Sequence, residues 1–196
     1  MDDLIELIQS DIIGFTANVQ AVPDTAWDNP TPCDDWTVRD VVNYMTAEHL
    51  RAPRLLAGET IEDIGSEYDG DVLGDDPVGS WRAAADRSRA AWAVADLDRP
   101  VHLATAVVPT RLYGEGMLVD LAVHRWDVQR GAGTGAGMDG ATVEHILARL
   151  QEHPEDYRGM RAFKHPIEVD SDMAHDHLLA LLGRDPFWKQ PEPTQL

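Results

Sequence analysis

With a single cysteine, Cys33, the chain has no internal disulfide to form. A small stapled scaffold is thereby excluded, and a reducing cytoplasm is the expected setting. Lysine is almost as scarce: Lys164 and Lys189 are the only two among 16 basic residues. Such an arginine bias, with abundant Ala and Asp, fits a GC-rich bacterial genome. Acidic residues outnumber basic ones 35 to 16, a formal net charge of −19. A nucleic-acid binder needs a basic stripe to displace phosphate counterions, and none runs through this sequence, so no nucleic-acid partner is expected. The acidity reads instead as a solvated surface. No run approaches the roughly 18 consecutive apolar residues of a membrane span. Met1-Asp2-Asp3 also lacks the basic start of a secretion signal, so no membrane partner is expected either.

What is present suffices for one domain over 1–196, since 196 residues with 43% hydrophobic content can bury a full core. Apolar residues recur at helical spacing in several blocks. Asp2 and Asp3 offer caps for a first helix, whose stripe is Leu4, Ile5, Ile8, Ile12, Phe15 and Val19, and Pro23 is expected to end it. Thr37 and Asp40 form a capping-box pattern opening a second helix that buries Val38, Val41, Val42, Met45 and then Leu50, with Pro53 expected to kink or end it and Gly58 as a plausible exit. A short turn at Thr60 to Ile64 leads into an acidic, glycine-containing loop, Glu67 to Asp76, expected at the surface. Asp76-Pro77 starts a third long helix reaching about Val94, and residues 98–108 read as a short extended piece or hairpin arm.

A fourth long helix covers about Thr110 to Arg130, with Gly131 as its expected C-cap. Asp139 begins a fifth helix that Pro154 should stop. Phe163 to Val169 reads as extended, and Ser171 to Leu182 as a last helix ending at Gly183. The expected fold class is mainly all-α, a four-helix bundle with short extra helices and a small extended piece.

The fourth long helix carries Asp120-Leu121-Ala122-Val123-His124-Arg125-Trp126-Asp127. Asp120 and His124, four apart, share a helix face, where a carboxylate and an imidazole can hold a metal from one side or act together on a proton. Arg125 and Asp127 point elsewhere and read as helix-surface or loop-pairing residues, whereas Trp126 reads as core. Three separated blocks, in order, then resemble one family: Thr31 to Asp40, Asp120 to Asp127 with Gly131 beyond it, and His177 to Pro186. Each is similar to a segment of the DinB-like, mycothiol-dependent maleylpyruvate isomerase superfamily, in its actinobacterial metal-binding branch.

The resemblance implies a helical bundle holding a divalent metal, zinc or nickel, and in some relatives the use of a thiol such as mycothiol in transfer or isomerisation. It also implies a small-molecule substrate. The family's metal site takes a His from the second helix and an acidic residue plus a His, four apart, from the later one. Asp120 and His124 match the second part, but the position of the first, eight after Trp36, is Tyr44. Three readings follow. The metal can be lost, leaving Tyr44, Asp120 and His124 as a hydrogen-bonded catalytic trio, because too few deprotonated ligands remain. Glu48, one turn beyond Tyr44, can substitute as ligand beside Asp120 and His124. Tyr44 can itself bind as a phenolate, which suits ferric iron better than zinc. Donor chemistry favours the first. His49, about 140° around an ideal helix from Tyr44, is a poorer substitute than Glu48.

The remaining histidines (His102, His145, His153, His165, His175 and His177) read as surface or structural residues. Cys33 stands where a helix start favours a thiolate, but the carboxylates of Asp34 and Asp35 oppose one, so it reads as structural. Three functions remain open: a metal- and thiol-dependent transferase or isomerase; a metal-free descendant acting as a cyclase or isomerase, or binding a metabolite non-catalytically for self-protection; and a plain interaction or scaffold protein with a relict site.

Overall fold

The computed structural model describes residues 3–153 and 165–191. Four long helices form the bundle: α1 (Asp3–Gln20), α2 (Val38–Ala57), α4 (Pro77–Trp92) and α5 (Thr110–Ala132). A one-turn 3-10 helix, Asp24–Ala26, lies between α1 and α2, and the short α3 (Ile61–Ile64) between α2 and α4. The mainly α-helical class expected from the sequence is what the chain adopts. Each long helix packs on two others, in the ring α1–α5–α2–α4. Strands β1 (Pro100–His102) and β2 (Val107–Pro109) pair antiparallel, with Val101 opposite Val108, and carry the chain from α4 to α5. Finally α6 (Gly140–Glu152) packs on α5, and α7 (Ala174–Leu181) on α6. No helix among the described residues is long and apolar enough to cross a membrane.

Local chemistry explains most boundaries. Thr37 caps α2, accepting from the Asp40 N–H while the Asp40 carboxylate accepts from the Thr37 N–H, so two orphan donors are satisfied reciprocally. Thr60 and Asp63 repeat the device at α3, and Asp76 and Asp139 cap α4 and α6. The buried faces follow the helical period: Val38, Val41, Val42 and Met45 on α2, and Trp81, Ala84, Ala85, Ser88 and Trp92 on α4. Burying roughly 200 Å² on each indole is worth about 5 kcal/mol gross. The Trp81 indole also donates to Thr16 Oγ1 at 2.9 Å, so its one polar atom costs nothing on burial. In contrast to the other helices, α5 is buried on most sides, because α1, α2, α6 and the hairpin all pack on it.

Several expectations are corrected. Leu50 is only partly buried, and Pro53 does not end α2, which continues to Ala57 and stops at the expected exit, Gly58, in the left-handed conformation, φ 102°. The Glu67–Asp76 loop is not wholly surface, since Leu73 is buried and Asn43 clamps the loop, donating to Gly70 O and accepting from Val72 N–H, both at 2.8 Å. Gly131 does not cap α5; the helix runs on to Ala132 and Gly133, φ 68°, terminates it. Gly131 serves close approach instead. A Cβ there would stand 2.8 Å from Thr31 Cγ2 and Val38 Cγ2, and 3.0 Å from Pro30 O. The last helix starts at Ala174 rather than Ser171, because the Ser171 hydroxyl bonds the Asp176 carboxylate and accepts from the Met173 N–H outside the helix. Residues 165–169 join no strand, though the Ile167 N–H donates to Ala180 O at 3.0 Å. The expected cap at Asp2, the stop at Pro154 and the start of the extended piece at Phe163 lie outside the described residues.

His49 points away from Tyr44, into the interface of α2 with α4, where it shares a 2.8 Å hydrogen bond with Ser88 and packs edge-on against Trp81. Full burial pushes its pKa down to about 3 from the usual 6.5. A depressed histidine pKa contributes stability above the unfolded value that is lost as pH falls from about 6.5 towards 3. Buried Asp11, Glu48 and Asp120 carry raised pKa values and act in the opposite sense. A comparison with His49→Gln cancels those groups. Between pH 7 and pH 5.5, urea unfolding should show the wild type losing about 1.4 kcal/mol more than the variant; equal losses would mean that His49 is not the acid-sensitive group. Gly131→Ala should cost about 1–2 kcal/mol despite alanine's better helix propensity, because Thr31 and Val38 must move aside. A variant as stable as wild type would show that close approach is not the reason for this glycine.

Candidate functional site

Tyr44 and Glu48 lie on α2, one turn apart, facing the stripe of α5 that carries Tyr113, Asp120, His124 and Asp127. The Tyr44 phenol donates to Asp120 Oδ2 at 3.0 Å. Its ring meets the His124 imidazole edge-on at 5.3 Å, and Trp36, from the turn before α2, stacks on His124 at 6.0 Å and 21°. Tyr44, Asp120 and His124 are therefore brought together. The phenol is on the carboxylate, one of the two arrangements expected, while His124 Nδ1 donates to Asp127 Oδ2 at 3.0 Å.

Of the two roles expected for Asp127, helix surface or loop pairing, the structure shows the second. Its side chain has no exposed area, and Arg184, from the segment after α7, holds it with Nε 3.1 Å from Oδ1 and Nη2 3.1 Å from Oδ2. Burial disfavours the guanidinium charge, but the Asp127 carboxylate outweighs that and raises the Arg184 pKa. Arg125 is not free-standing surface either, reaching Asp11 on α1 at 3.5 Å. Trp126 is core, as its spacing indicated. A carboxylate that fixes an imidazole's tautomer and orientation is a device that both metal sites and general-base sites use.

Burial dominates the electrostatics on the Tyr44 side. It raises the Asp120 pKa, with His124, the Tyr44 hydrogen bond and Arg184 partly offsetting it. Asp120 Oδ1 is shut from solvent and has no hydrogen-bond partner among the described residues. Burial together with the charges of Asp120 and Glu48 pushes the Tyr44 phenol well above its ordinary range. The same causes raise Tyr113, whose hydroxyl is buried without a partner among the described residues. Glu48 is raised by burial too, while Arg51 pairs with it at 2.7 Å and reaches on to Asp69 at 3.1 Å.

Outside Tyr44 and Trp36 lies an open cleft of about 530 Å³, lined also by Asp35, Asn43, Arg51 and Tyr68. Asp120 and His124 are not part of its lining; they stand behind the two aromatic rings. The Glu67–Asp76 loop, folded onto α2 by Asn43, supplies one wall.

Cys33, read from its neighbours as structural, occupies a charged cluster. Its sulfur, a ring nitrogen of His124 and a carboxylate oxygen of Asp127 all lie within 4.8 Å of one another. The turn presenting it is closed by Thr31, whose hydroxyl donates to Trp36 O at 2.9 Å, and by Asp35 in the left-handed conformation, φ 62°. Among the other histidines, His145 pairs with buried Glu115 at 2.9 Å and His175 with Asp176 at 3.1 Å, both structural contacts.

Sequence reasoning missed Tyr113, Asp127 and Arg184. The first two were legible, since Tyr113, Asp120 and Asp127 repeat every seven residues and share a helix face. Arg184 had no local signal, for it lies 57 residues from its partner. Removing one member of a buried pair leaves an uncompensated charge, so Arg184→Met should cost about 3 kcal/mol or more in urea unfolding. The double variant with Asp127→Leu should recover part of that. A loss below about 1 kcal/mol in the single variant would show the pair to be solvated in practice.

The family model for the mycothiol maleylpyruvate isomerase N-terminal domain matches residues 13–129, more than half of the chain and the whole of the Cys33, Tyr44, Asp120, His124 and Asp127 constellation. No curated protein and no solved structure matches the chain significantly. With the helical bundle and that match together, the chain belongs to the mycothiol maleylpyruvate isomerase N-terminal domain family.

Proposed function

We propose that the protein binds a small carbonyl-bearing metabolite in the cleft ending at Tyr44 and moves a proton on it, as an isomerase or cyclase working without the divalent metal of its relatives. The observation that carries this reading is the 3.0 Å hydrogen bond from Tyr44 to Asp120 at the floor of the cleft. Tyr44 turns its O–H from Asp120 Oδ2 to anchor a ligand oxygen, and His124, oriented by Asp127, takes a proton from one ligand carbon and returns it to another. The family's name supports isomerisation as the reaction class, and a thiol such as mycothiol would enter as a co-substrate adding to an electrophilic ligand.

The donor set supports the absence of a metal step. A phenol held protonated by burial and by two flanking carboxylates is a poor cation ligand. Glu48, the other candidate donor on α2, is committed to Arg51. Asp120 and His124 then remain as a pair, too few for a divalent ion of zinc or nickel type. A second reading, non-catalytic binding of a metabolite, draws support from one observation: the cleft stops at Trp36 and Tyr44, in front of His124.

Protein purified without chelator or affinity tag should contain well under one equivalent of zinc plus nickel, and Tyr44→His should raise that towards one. Near-stoichiometric metal in the wild type would overturn the metal-free reading. In a thermal-shift screen of enones and cyclic ketones, a hit should bind about 5–10-fold more weakly to Tyr44→Phe, the loss of one hydrogen bond. Turnover of that hit separates catalysis from simple binding.

A further inference from the structure

Aromatic rings line the cleft that ends at Tyr44, and its one guanidinium is already matched by carboxylates. We propose that the ligand of this cleft carries a positively charged nitrogen, a quaternary or protonated amine, held against Trp36, Tyr44 and Tyr68. The cleft is the ligand site of the function proposed above, on which this inference rests; the charge of the ligand is new.

The rings supply the site. Trp36 and Tyr44 stand with centroids 5.2 Å apart and planes inclined at 53°, and both line the cleft while remaining only partly buried. A cation is attracted to an aromatic face within about 6 Å of the ring centroid, so one ion seated in that corner reaches both rings. Tyr68, from the Glu67–Asp76 loop, adds a third ring from a separate part of the chain. The Tyr44 hydroxyl donates to Asp120, which leaves its ring richer in electron density and a better partner for a cation. A methylated nitrogen also covers the apolar area of these rings without needing a hydrogen-bond acceptor.

The charges select the sign. Asp35, Asp40 and Asp69 line the cleft against Arg51 alone. Arg51 is fully engaged: Nη1 donates to Glu48 Oε1 at 2.7 Å, and Nη2 to Tyr68 O at 3.2 Å and Asp69 Oδ1 at 3.1 Å. On the same helix, Arg39 is paired with Asp71, and Arg54 with Glu59 and Glu67. A ligand carboxylate or phosphate would have to break into one of these pairs, and would approach against the field of the lining carboxylates. An exposed carboxylate contributes little by itself, so the rings provide the affinity and the acidic lining excludes anions.

Three small probes separate charge from fit: choline, its neutral isostere neohexyl alcohol, in which carbon replaces nitrogen, and the tert-butylacetate anion. Each is titrated into the full chain at low ionic strength and followed by nitrogen-edited NMR of the tryptophan indole signals. Choline should bind about 10-fold more tightly than neohexyl alcohol, and tert-butylacetate most weakly of the three. Asp35→Asn keeps a residue type that tolerates the left-handed backbone at this position, φ 62°. It should weaken choline about 2-fold and leave neohexyl alcohol unchanged. Tyr68→Leu should weaken choline about 5-fold, in protein whose thermal melting shows it folded. Equal affinities for choline and its neutral isostere, tighter binding of the anion, or no saturable binding of choline would each overturn the proposal. Choline has no carbonyl to isomerise, so its binding is independent of the chemistry assigned to Tyr44; a protein that binds choline but no enone or ketone would fail that reading alone.

Discussion

A carboxylate with no exposed surface must be compensated within the protein, and around Asp127 that requirement ties together two separate parts of the chain. Arg184 supplies the counter-charge, which ties the segment following α7 to the middle of α5. His124, one turn away on the same helix, supplies a further donor and so has its ring orientation set. Leaving any of these groups unmatched in a dry interior would cost several kcal/mol, more than most single contacts in a domain contribute. The ion pair is thus a constraint on geometry more than a source of stability.

Once the imidazole is oriented, its surroundings divide into two. Trp36, Tyr44 and Asp120 lie on the side towards the cleft, with the Glu67–Asp76 loop as outer wall. Cys33 lies on the other, in a turn brought against α5 by the missing side chain at Gly131. Asn29 reinforces that approach by donating to Gly131 O at 3.1 Å. Each side has chemistry the other lacks: a phenol backed by a carboxylate at the cleft, and a thiol near a guanidinium behind it.

Membership of the mycothiol maleylpyruvate isomerase N-terminal domain family rests on residues 13–129, yet Arg184 lies beyond that segment. The site is therefore completed by a part of the chain outside the shared region. A tyrosine at the α2 position, where the resemblance leads one to expect a histidine, exchanges a donor that binds cations when neutral for one that must first lose a proton. Burial beside Asp120 and Glu48 opposes that loss.

The sequence by itself determined the helices and their caps. Thr37 with Asp40, Thr60 with Asp63, and Asp76 before Pro77 act within one turn, and apolar spacing names the buried faces of α1, α2 and α4 without knowledge of what covers them. It also placed Asp120 and His124 on one face, since that follows from helical geometry alone. Tertiary structure decided which side chains become partners. Whether Gly131 is a cap or a point of close approach, whether Leu73 is exposed, and whether Asp127 and Cys33 are bystanders all depend on residues far away in the chain. Such pairings are settled by the energy of leaving a buried group unsatisfied, a quantity that exists only once the helices have closed around it.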